Sequence, residues 1–251
     1  MTMIVKHHPK VYFTFGRFQP PTIGHKVLID KMASLASEEN ADAYVFVSSK
    51  QNDMDKYKKS KAYKEMQTTN QFWSTDLNEN PLPVSAKVEF LRMMYPDTPV
   101  VFVDTTLEKC TQLFNIIDSL RSAGYTDITM GVGSDRLPTF QKTLKESTIK
   151  VISLGERTVN STNSNARAMS GTKMRLAAIK PDFEGFMRGV MIGAMTQEDA
   201  LRLMNMIRVS LEYPPYTRGG VRAKGTRRNK HVIIKRKHRG TYKLRDDEKF
   251  D

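Results

Sequence analysis

Short apolar runs alternate along the first 155 residues with segments in which apolar residues recur at helical spacing. Runs with so few polar residues are typical of strands that are covered on both faces of a parallel sheet. The five runs occupy residues 11–15, 43–49, 100–103, 127–132 and 149–154. Because helical segments separate them, the pattern predicts an α/β fold, a doubly wound (Rossmann-like) five-stranded parallel sheet with helices on both faces.

Helical spacing marks the segments between and after these runs. The helical segments lie at residues 26–35, 84–95, 108–123, 170–180, 183–187 and 196–211. Thr196 and Asp199 have the spacing of a capping arrangement at the start of the last segment. We predict one domain over residues 1–190, a C-terminal helix within residues 191–215 and an extension over residues 216–251.

A long, lysine-rich excursion over residues 50–80 interrupts the alternation. It leaves the predicted sheet at the end of a strand, where open α/β folds place their ligands. Long loops in compact domains are often functional lids, whereas charged segments are often solvated surface loops. Both interpretations of the excursion stay open.

The decapeptide Gly-Arg-Phe-Gln-Pro-Pro-Thr-Ile-Gly-His, residues 16–25, follows the first predicted strand and precedes a helical segment. At such a junction backbone N–H groups and the positive end of a helix dipole face outward, where they favour phosphate. Gly16 and Gly24 leave room for the backbone to approach an anion. The decapeptide therefore predicts a phosphate-binding turn.

A second candidate for phosphate binding, Ser-Gly-Thr-Lys-Met-Arg at residues 170–175, starts a late predicted helix. Ser170 is suited to cap that helix, Thr172 places a hydroxyl in its first turn, and Arg175 lies one turn further on. All three side chains can therefore address one anion. Together with the decapeptide, this motif gives the chain two candidate anion-binding segments.

The decapeptide resembles the signature of the nucleotidyltransferase superfamily, which is Gly-x-Phe-x-Pro followed by a His or Thr and then a His. Residues 170–175 are similar to the superfamily's Ser-x-Thr-x-x-Arg motif, and the two motifs occur in the superfamily's order. The Gly-Arg-Phe-Gln-Pro variant looks most like nicotinamide-mononucleotide adenylyltransferases and their bacteriophage relatives. Thr22 stands where those enzymes carry His. The matching residues of the decapeptide are Gly16, Phe18, Pro20, Thr22, Gly24 and His25.

Two shorter segments add to this resemblance, which covers about residues 11–180. Asn-Pro-Leu at residues 80–82 is similar to a segment found before a helix in these adenylyltransferases. Gly-Val-Gly-Ser-Asp at residues 131–135 is similar to the Gly-x-Asp loop that follows the fourth strand. The residues that the resemblance assigns to the acceptor or nucleotide loop are Asn80, Gly133 and Asp135.

The resemblance implies transfer of a nucleoside monophosphate to a small phosphate-bearing acceptor, with release of pyrophosphate. ATP is favoured as the donor and nicotinamide mononucleotide as the acceptor, which would give NAD. CTP stays as the alternative donor, although residues 167–172 match only part of the cytidylyltransferase segment Arg-Thr-x-Gly-Ile-Ser-Thr. Mg²⁺ accompanies the triphosphate, and no residue is assigned as a metal ligand.

The resemblance also assigns roles to the residues of the two motifs. The implied catalytic residues are His25, Thr22 and Arg17. The implied nucleotide-binding residues are Gly16, Phe18, Gly24, Ser170, Thr172 and Arg175. Hydrogen-bond donors of this kind stabilise charge that develops on phosphate oxygens, so the chemistry requires no covalent nucleophile.

Charge changes the picture at the C-terminus. The net charge is +13, and residues 216–251 contribute 13 Lys and Arg against 4 Asp and Glu. A basic extension suggests an anionic partner, so a second hypothesis is a nucleic-acid-binding or virion-associated protein that uses the fold as a scaffold. A disordered solubilising tail is the other interpretation. The cations expected to contact nucleic acid are Arg227, Arg228, Lys230, Lys235, Arg236 and Lys237.

The remaining composition, 39% hydrophobic and 27% charged residues, is that of a globular protein. The apolar runs are too short to cross a membrane, and residues 1–10 lack an apolar targeting core. The single cysteine, Cys110, lies in a helical pattern, where we expect it to be buried, and it favours a reducing compartment. We therefore expect a cytoplasmic protein without a membrane partner, in the host cytoplasm if a bacteriophage encodes it. A homo-oligomer stays an open alternative.

Overall fold

The structure, a computed structural model, describes residues 4–51, 80–155, 169–211 and 213–217. Within these ranges five strands form one parallel sheet in the order β3-β2-β1-β4-β5. Because the order steps outward from β1 in both directions, the prediction of a doubly wound, Rossmann-like α/β fold is confirmed. The strands are β1 (Lys10–Gly16), β2 (Asp42–Val47), β3 (Val101–Asp104), β4 (Asp127–Val132) and β5 (Lys150–Ser153).

Helices connect and follow the strands in the described ranges. Short 3₁₀ turns, Ile23–His25 and Ser134–Arg136, precede the first and fourth of them. None of these helices has both the length and the apolar character that a membrane crossing needs. The α-helices are α1 (Lys26–Glu38), α2 (Val84–Met94), α3 (Leu113–Ser122), α4 (Leu137–Thr143), α5 (Gly171–Ile179), α6 (Phe183–Val190) and α7 (Gln197–Ser210).

Helices cover both faces of the sheet because alternate strand side chains point to opposite sides. On one face Tyr12, Val45 and Val47 pack in a core with residues of α1, α2, α5, α6 and α7. On the other face Phe13 and Phe46 pack with residues of α3 and α4. The predicted covering of both faces is therefore confirmed.

One predicted helix is wrong at its start, because α3 begins at Leu113 and not near residue 108. The Asp104 carboxylate accepts hydrogen bonds from Thr106, at 2.8 Å from its backbone N–H and 2.5 Å from its hydroxyl. This turn does not continue as a helix, because Lys109 has a left-handed backbone conformation, with φ 54°. Cys110 consequently lies before the helix, although it is fully buried, as expected.

The predicted capping pair at the start of α7, Thr196 and Asp199, is confirmed. The backbone N–H of each residue donates to the side chain of the other at 3.2 Å.

A lysine is buried at the carboxyl edge of the sheet. Lys87 of α2 is 0% exposed, and its ammonium group donates a hydrogen bond to the carbonyl of Ser48, directly after β2. Burial lowers the pKa of Lys87 to about 8, and the Asp104 carboxylate offsets only part of this effect. Keeping the ammonium group away from water therefore costs stability at neutral pH.

The burial of Lys87 predicts a pH-dependent stability. Because its pKa is about 8 in the folded protein against 10.5 for an ordinary lysine, the unfolded chain binds more protons between those values. The free energy of unfolding should therefore rise with pH across this window, by roughly 3 kcal/mol more than that of the Lys87→Met variant. Urea unfolding of both proteins at a series of pH values measures the difference, and a difference that stays constant would contradict the prediction.

Candidate active site

The sheet order creates a crevice at the carboxyl ends of β1 and β4, from which the chain departs in opposite directions. A cavity of about 420 Å³ lies in this crevice. Residues of the decapeptide, of the start of α5 and of the loop after β4 line it. Among the described residues, the charged side chains that line the cavity are Arg17, Asp135, Arg136 and Arg175. Three guanidinium groups against one carboxylate in this part of the chain favour an anionic ligand.

The glycines and the phenylalanine assigned to nucleotide binding in the decapeptide all line the cavity. Phe18 is buried in a left-handed backbone conformation, with φ 47°, and its ring centroid lies 4.8 Å from that of His25. A Cβ atom on Gly16 would come within 2.7 Å of the Phe18 ring. A larger residue at position 16 would therefore displace the ring that packs against His25.

His25 lines the cavity with its Nδ1 atom directed toward Thr22. The backbone N–H of Thr22 donates to Nδ1 at 3.0 Å, and the Thr22 carbonyl oxygen lies 3.2 Å from the same atom. Because an N–H can only donate, the shorter contact makes Nδ1 the acceptor, as in a capping box. A neutral imidazole held in this way carries its proton on Nε2. His25 is therefore suited to donate a hydrogen bond from Nε2 to an anion.

Thr22 lies beneath the cavity surface, since it is 0% exposed and does not line the cavity. Its hydroxyl donates to the Met169 carbonyl at 3.2 Å and lies 3.1 Å from Nδ1 of His25. The Tyr95 hydroxyl donates to the Thr22 carbonyl at 3.2 Å, and burial raises the pKa of Tyr95, which keeps it a donor. Thr22 thus orients His25 and contacts the residue before Ser170. A direct contact between Thr22 and a ligand stays a prediction.

The second motif divides into a cap and a cavity wall. The Ser170 hydroxyl accepts a hydrogen bond from the backbone N–H of Lys173 at 3.2 Å and so caps α5, as expected. Thr172 and Arg175 line the cavity, whereas Ser170 does not. Arg175 is 7% exposed, and its Nη2 donates to Oγ1 of Thr172 at 3.2 Å. Thr172 and Arg175 are therefore the side chains of this motif that line the cavity, and a contact between Ser170 and a ligand stays a prediction.

The two motifs touch at the main chain of Gln19. Nη1 of Arg175 donates a hydrogen bond to the Gln19 carbonyl. A Cβ atom on Gly171 would approach the same carbonyl oxygen to 2.5 Å, so glycine is required for this contact. Residues 16–25 and 170–175 consequently form adjoining walls of a single cavity.

Of the other predicted site residues, some line the cavity and one does not. Gly133 and Asp135 line the cavity, as does the exposed side chain of Arg17. Asn80 does not line it, is 1% exposed, and has an Oδ1 atom without a hydrogen bond in the described part of the chain. No group of His, Cys, Asp or Glu that could hold a metal ion occurs among the described residues.

Several predictions fall on segments that the structure does not describe. Residues 52–79 of the excursion and residues 167 and 168 lie outside the described ranges. The basic extension is described only to Thr217. The predicted nucleic-acid contacts from Arg227 to Lys237 therefore also lie outside them.

Sequence reasoning missed some residues of the cavity, among them Gln19, Arg136 and Phe140. Arg136 directly follows the Gly-x-Asp loop, and its proximity in sequence was a signal that could have identified it. Phe140 lies one turn further along, in α4. Gln19 lies inside the decapeptide, but nothing in the sequence indicates its partner Leu82, which is 63 residues away along the chain.

Among solved structures, the chain is similar to a Vibrio parahaemolyticus protein assigned as a nicotinate-nucleotide adenylyltransferase, with 16% sequence identity and a TM-score of 0.39. The match covers 68% of this chain and 88% of that one. No curated protein sequence matches the chain.

A family model described as Cytidylyltransferase-like matches residues 13–199, a range that contains both motifs and most of the chain. The resemblance to nucleotidyltransferases is thereby confirmed, and the chain belongs to the Cytidylyltransferase-like family.

Proposed function

We propose that the protein transfers a nucleoside monophosphate, with AMP from ATP favoured, to a small phosphate-bearing acceptor and releases pyrophosphate. The family supports the reaction class. The observation that carries the proposal is the contact between the two motifs at one cavity, whose described lining includes three arginines. Nicotinamide mononucleotide is the favoured acceptor, because the Gly-Arg-Phe-Gln-Pro sequence resembles that of its adenylyltransferases.

A triphosphate in this cavity would meet donors from both motifs. Arg175, Thr172 and the N-terminus of α5 are suited to hold the β- and γ-phosphates. Nε2 of His25 is suited to donate to an oxygen of the α-phosphate, where charge develops in the transition state. The catalytic contribution of Thr22 would then be to orient His25.

The proposed reaction is a single in-line displacement. An oxygen of the acceptor phosphate attacks the α-phosphorus, and the bond from that phosphorus to the oxygen bridging the α- and β-phosphates breaks. The bonding electrons leave with pyrophosphate. Because positioning and charge stabilisation supply the rate enhancement, the protein forms no covalent bond to the nucleotide.

Mg²⁺ bound to the triphosphate would neutralise charge on the leaving pyrophosphate. The residues fit this use, since Mg²⁺ keeps several waters and takes only one or two protein carboxylates when it binds with a nucleotide. Of the residues that the structure describes, Asp135 is the carboxylate that lines the cavity, so it is suited to hold the hydrated ion. Both ATP and the alternative donor CTP would enter with the same ion.

The choice of nucleotide is tested by comparing ATP, CTP, GTP and UTP with nicotinamide mononucleotide as acceptor. We expect the fastest pyrophosphate release with ATP and NAD as the product detected by mass spectrometry. Fastest turnover with CTP would instead establish the cytidylyltransferase alternative. If none of the four releases pyrophosphate, the same measurement with an acceptor library decides whether the acceptor or the reaction class is wrong.

The role of His25 is tested by the His25→Ala variant. We expect it to fold normally and to lose about a hundred- to a thousandfold in turnover, which is the typical cost of one preorganised donor. His7→Ala is a matched control, since His7 contacts Asp42 through its backbone N–H at 2.8 Å, far from the cavity in the sheet. Near-normal pyrophosphate release by His25→Ala would overturn the assignment.

A second function, nucleic-acid binding by the basic extension, is favoured by its charge. Of the chain's net +13, residues 216–251 carry +9. If several of these cations neutralise phosphates, affinity falls by orders of magnitude between low and physiological salt. Both proposed functions suit a cytoplasmic setting, and the second would also suit association with a virion.

Deleting the basic extension tests the two functions separately, provided that the deletion leaves the compact part of the chain intact. Tyr216 should be kept, because its N–H and carbonyl bond the Asn205 side chain at 2.6 and 3.0 Å, and its ring packs on Phe183. Deleting residues 218–251 should abolish salt-sensitive RNA or DNA binding and leave nucleotide turnover intact. Filter binding at several salt concentrations measures the first effect. If turnover is lost as well, the extension belongs to the active site or to an oligomer interface.

A further inference from the structure

Gln19 connects the decapeptide to two other segments of the site. It is 4% exposed and lines the cavity between the residues assigned to phosphate binding. Its side chain contacts the segment before α2, and its main-chain carbonyl contacts the start of α5. The proposed reaction does not use Gln19, so these contacts require an explanation of their own.

The side-chain amide of Gln19 pairs with the backbone of Leu82 through two hydrogen bonds. Nε2 donates to the Leu82 carbonyl at 2.8 Å, and Oε1 accepts from the Leu82 N–H at 2.9 Å. Leu82 is 0% exposed, so its backbone groups cannot bond to water instead. Because an amide presents one donor and one acceptor in a fixed plane, the pairing holds residue 19 in one position.

The main-chain carbonyl of Gln19 accepts a hydrogen bond that helps to orient Arg175. Nη1 of Arg175 donates to this carbonyl and Nη2 donates to Thr172, so two hydrogen bonds set the orientation of the planar guanidinium group. The α-carbon of Gly171 lies against the same carbonyl, where no Cβ atom would fit. A shift of the Gln19 carbonyl would therefore turn Arg175 and displace the N-terminus of α5 together.

We propose that Gln19 is a positioning residue that sets the affinity for the triphosphate through Arg175. Its pairing with Leu82 holds the carbonyl in place, and the carbonyl in turn holds the guanidinium group toward the phosphates. The inference rests on the proposed function, which assigns Arg175 to the β- and γ-phosphates. A residue that served only the stability of the fold would not act through Arg175, and this difference is measurable.

Magnesium tripolyphosphate is the probe of choice, because it contains the phosphates without a base or an acceptor. Its binding to the full chain is measured by calorimetry for the wild type, Gln19→Ala, Arg175→Ala and the double variant. We expect each single substitution to weaken binding about tenfold, as for the loss of one charge-assisted contact. The double variant should bind no more weakly than Arg175→Ala. Gln112→Ala, which changes an exposed glutamine before α3, is the matched control with unchanged affinity.

The outcomes separate this inference from the proposed function. Additive losses in the double variant would overturn the positioning role and leave the phosphate site intact. Unchanged binding by Gln19→Ala, with weak binding by Arg175→Ala, would do the same. If the wild type and Arg175→Ala bind tripolyphosphate equally, or neither binds it, the phosphate site is wrongly assigned and both proposals fail.

A second variant, Gln19→Glu, keeps the size of the side chain in case the alanine variant does not fold. Its carboxylate accepts from the Leu82 N–H but cannot donate to the Leu82 carbonyl, so binding should be weaker than in the wild type at about pH 8. Burial raises the pKa of the new carboxyl group, so mild acid protonates it. The protonated group again has a donor for the Leu82 carbonyl. The ratio of the variant's dissociation constant to that of the wild type should therefore fall toward one near pH 5. A ratio that does not change with pH would overturn the proposal.

Discussion

The site depends on one close approach, that of the start of α5 to the main-chain carbonyl of Gln19. Gly171 has no side chain to prevent it, and Arg175, which is 156 residues away from Gln19 along the chain, donates to the same carbonyl. Through this contact the backbone donors of a strand–helix turn and those of a helix N-terminus face one cavity. Neither segment alone would surround a triphosphate, whereas the pair offers donors from two sides.

The fold holds both partners of this contact in place. β1 is bonded to β2 and β4, so the carboxyl end from which the decapeptide starts lies in the middle of the sheet. α5 is fixed at its far end by Arg208 of α7, which is 6% exposed and donates to the carbonyl of Ile179 at 3.1 Å and to that of Ala178. The last carbonyls of a helix lack partners within it, and Arg208 supplies them.

Local patterns predicted the strands, the fold class and the two phosphate motifs. Buried strands, helix caps and glycine turns depend on residues that are neighbours in the sequence. They did not predict where α3 begins, since the spacing of apolar residues does not reveal the left-handed backbone of Lys109. Gln19 and Lys87 were missed for another reason. Each is a polar residue whose importance comes from burial against a distant backbone carbonyl, and only the packed structure brings that carbonyl close.

The distribution of charge separates the nucleotide site from the basic extension. Residues 1–215 contain 27 Lys and Arg against 23 Asp and Glu, a net of only +4, yet the described lining of the cavity has three arginines and one aspartate. Under the proposed function, attraction of a nucleotide would therefore come from charges at contact distance, which water and salt screen far less than distant ones. A run of cations along the extension suits a polymer instead, because each neutralised phosphate releases counterions. A small triphosphate gains little from such a run, so the extension favours a second, polymeric anion over a larger nucleotide site.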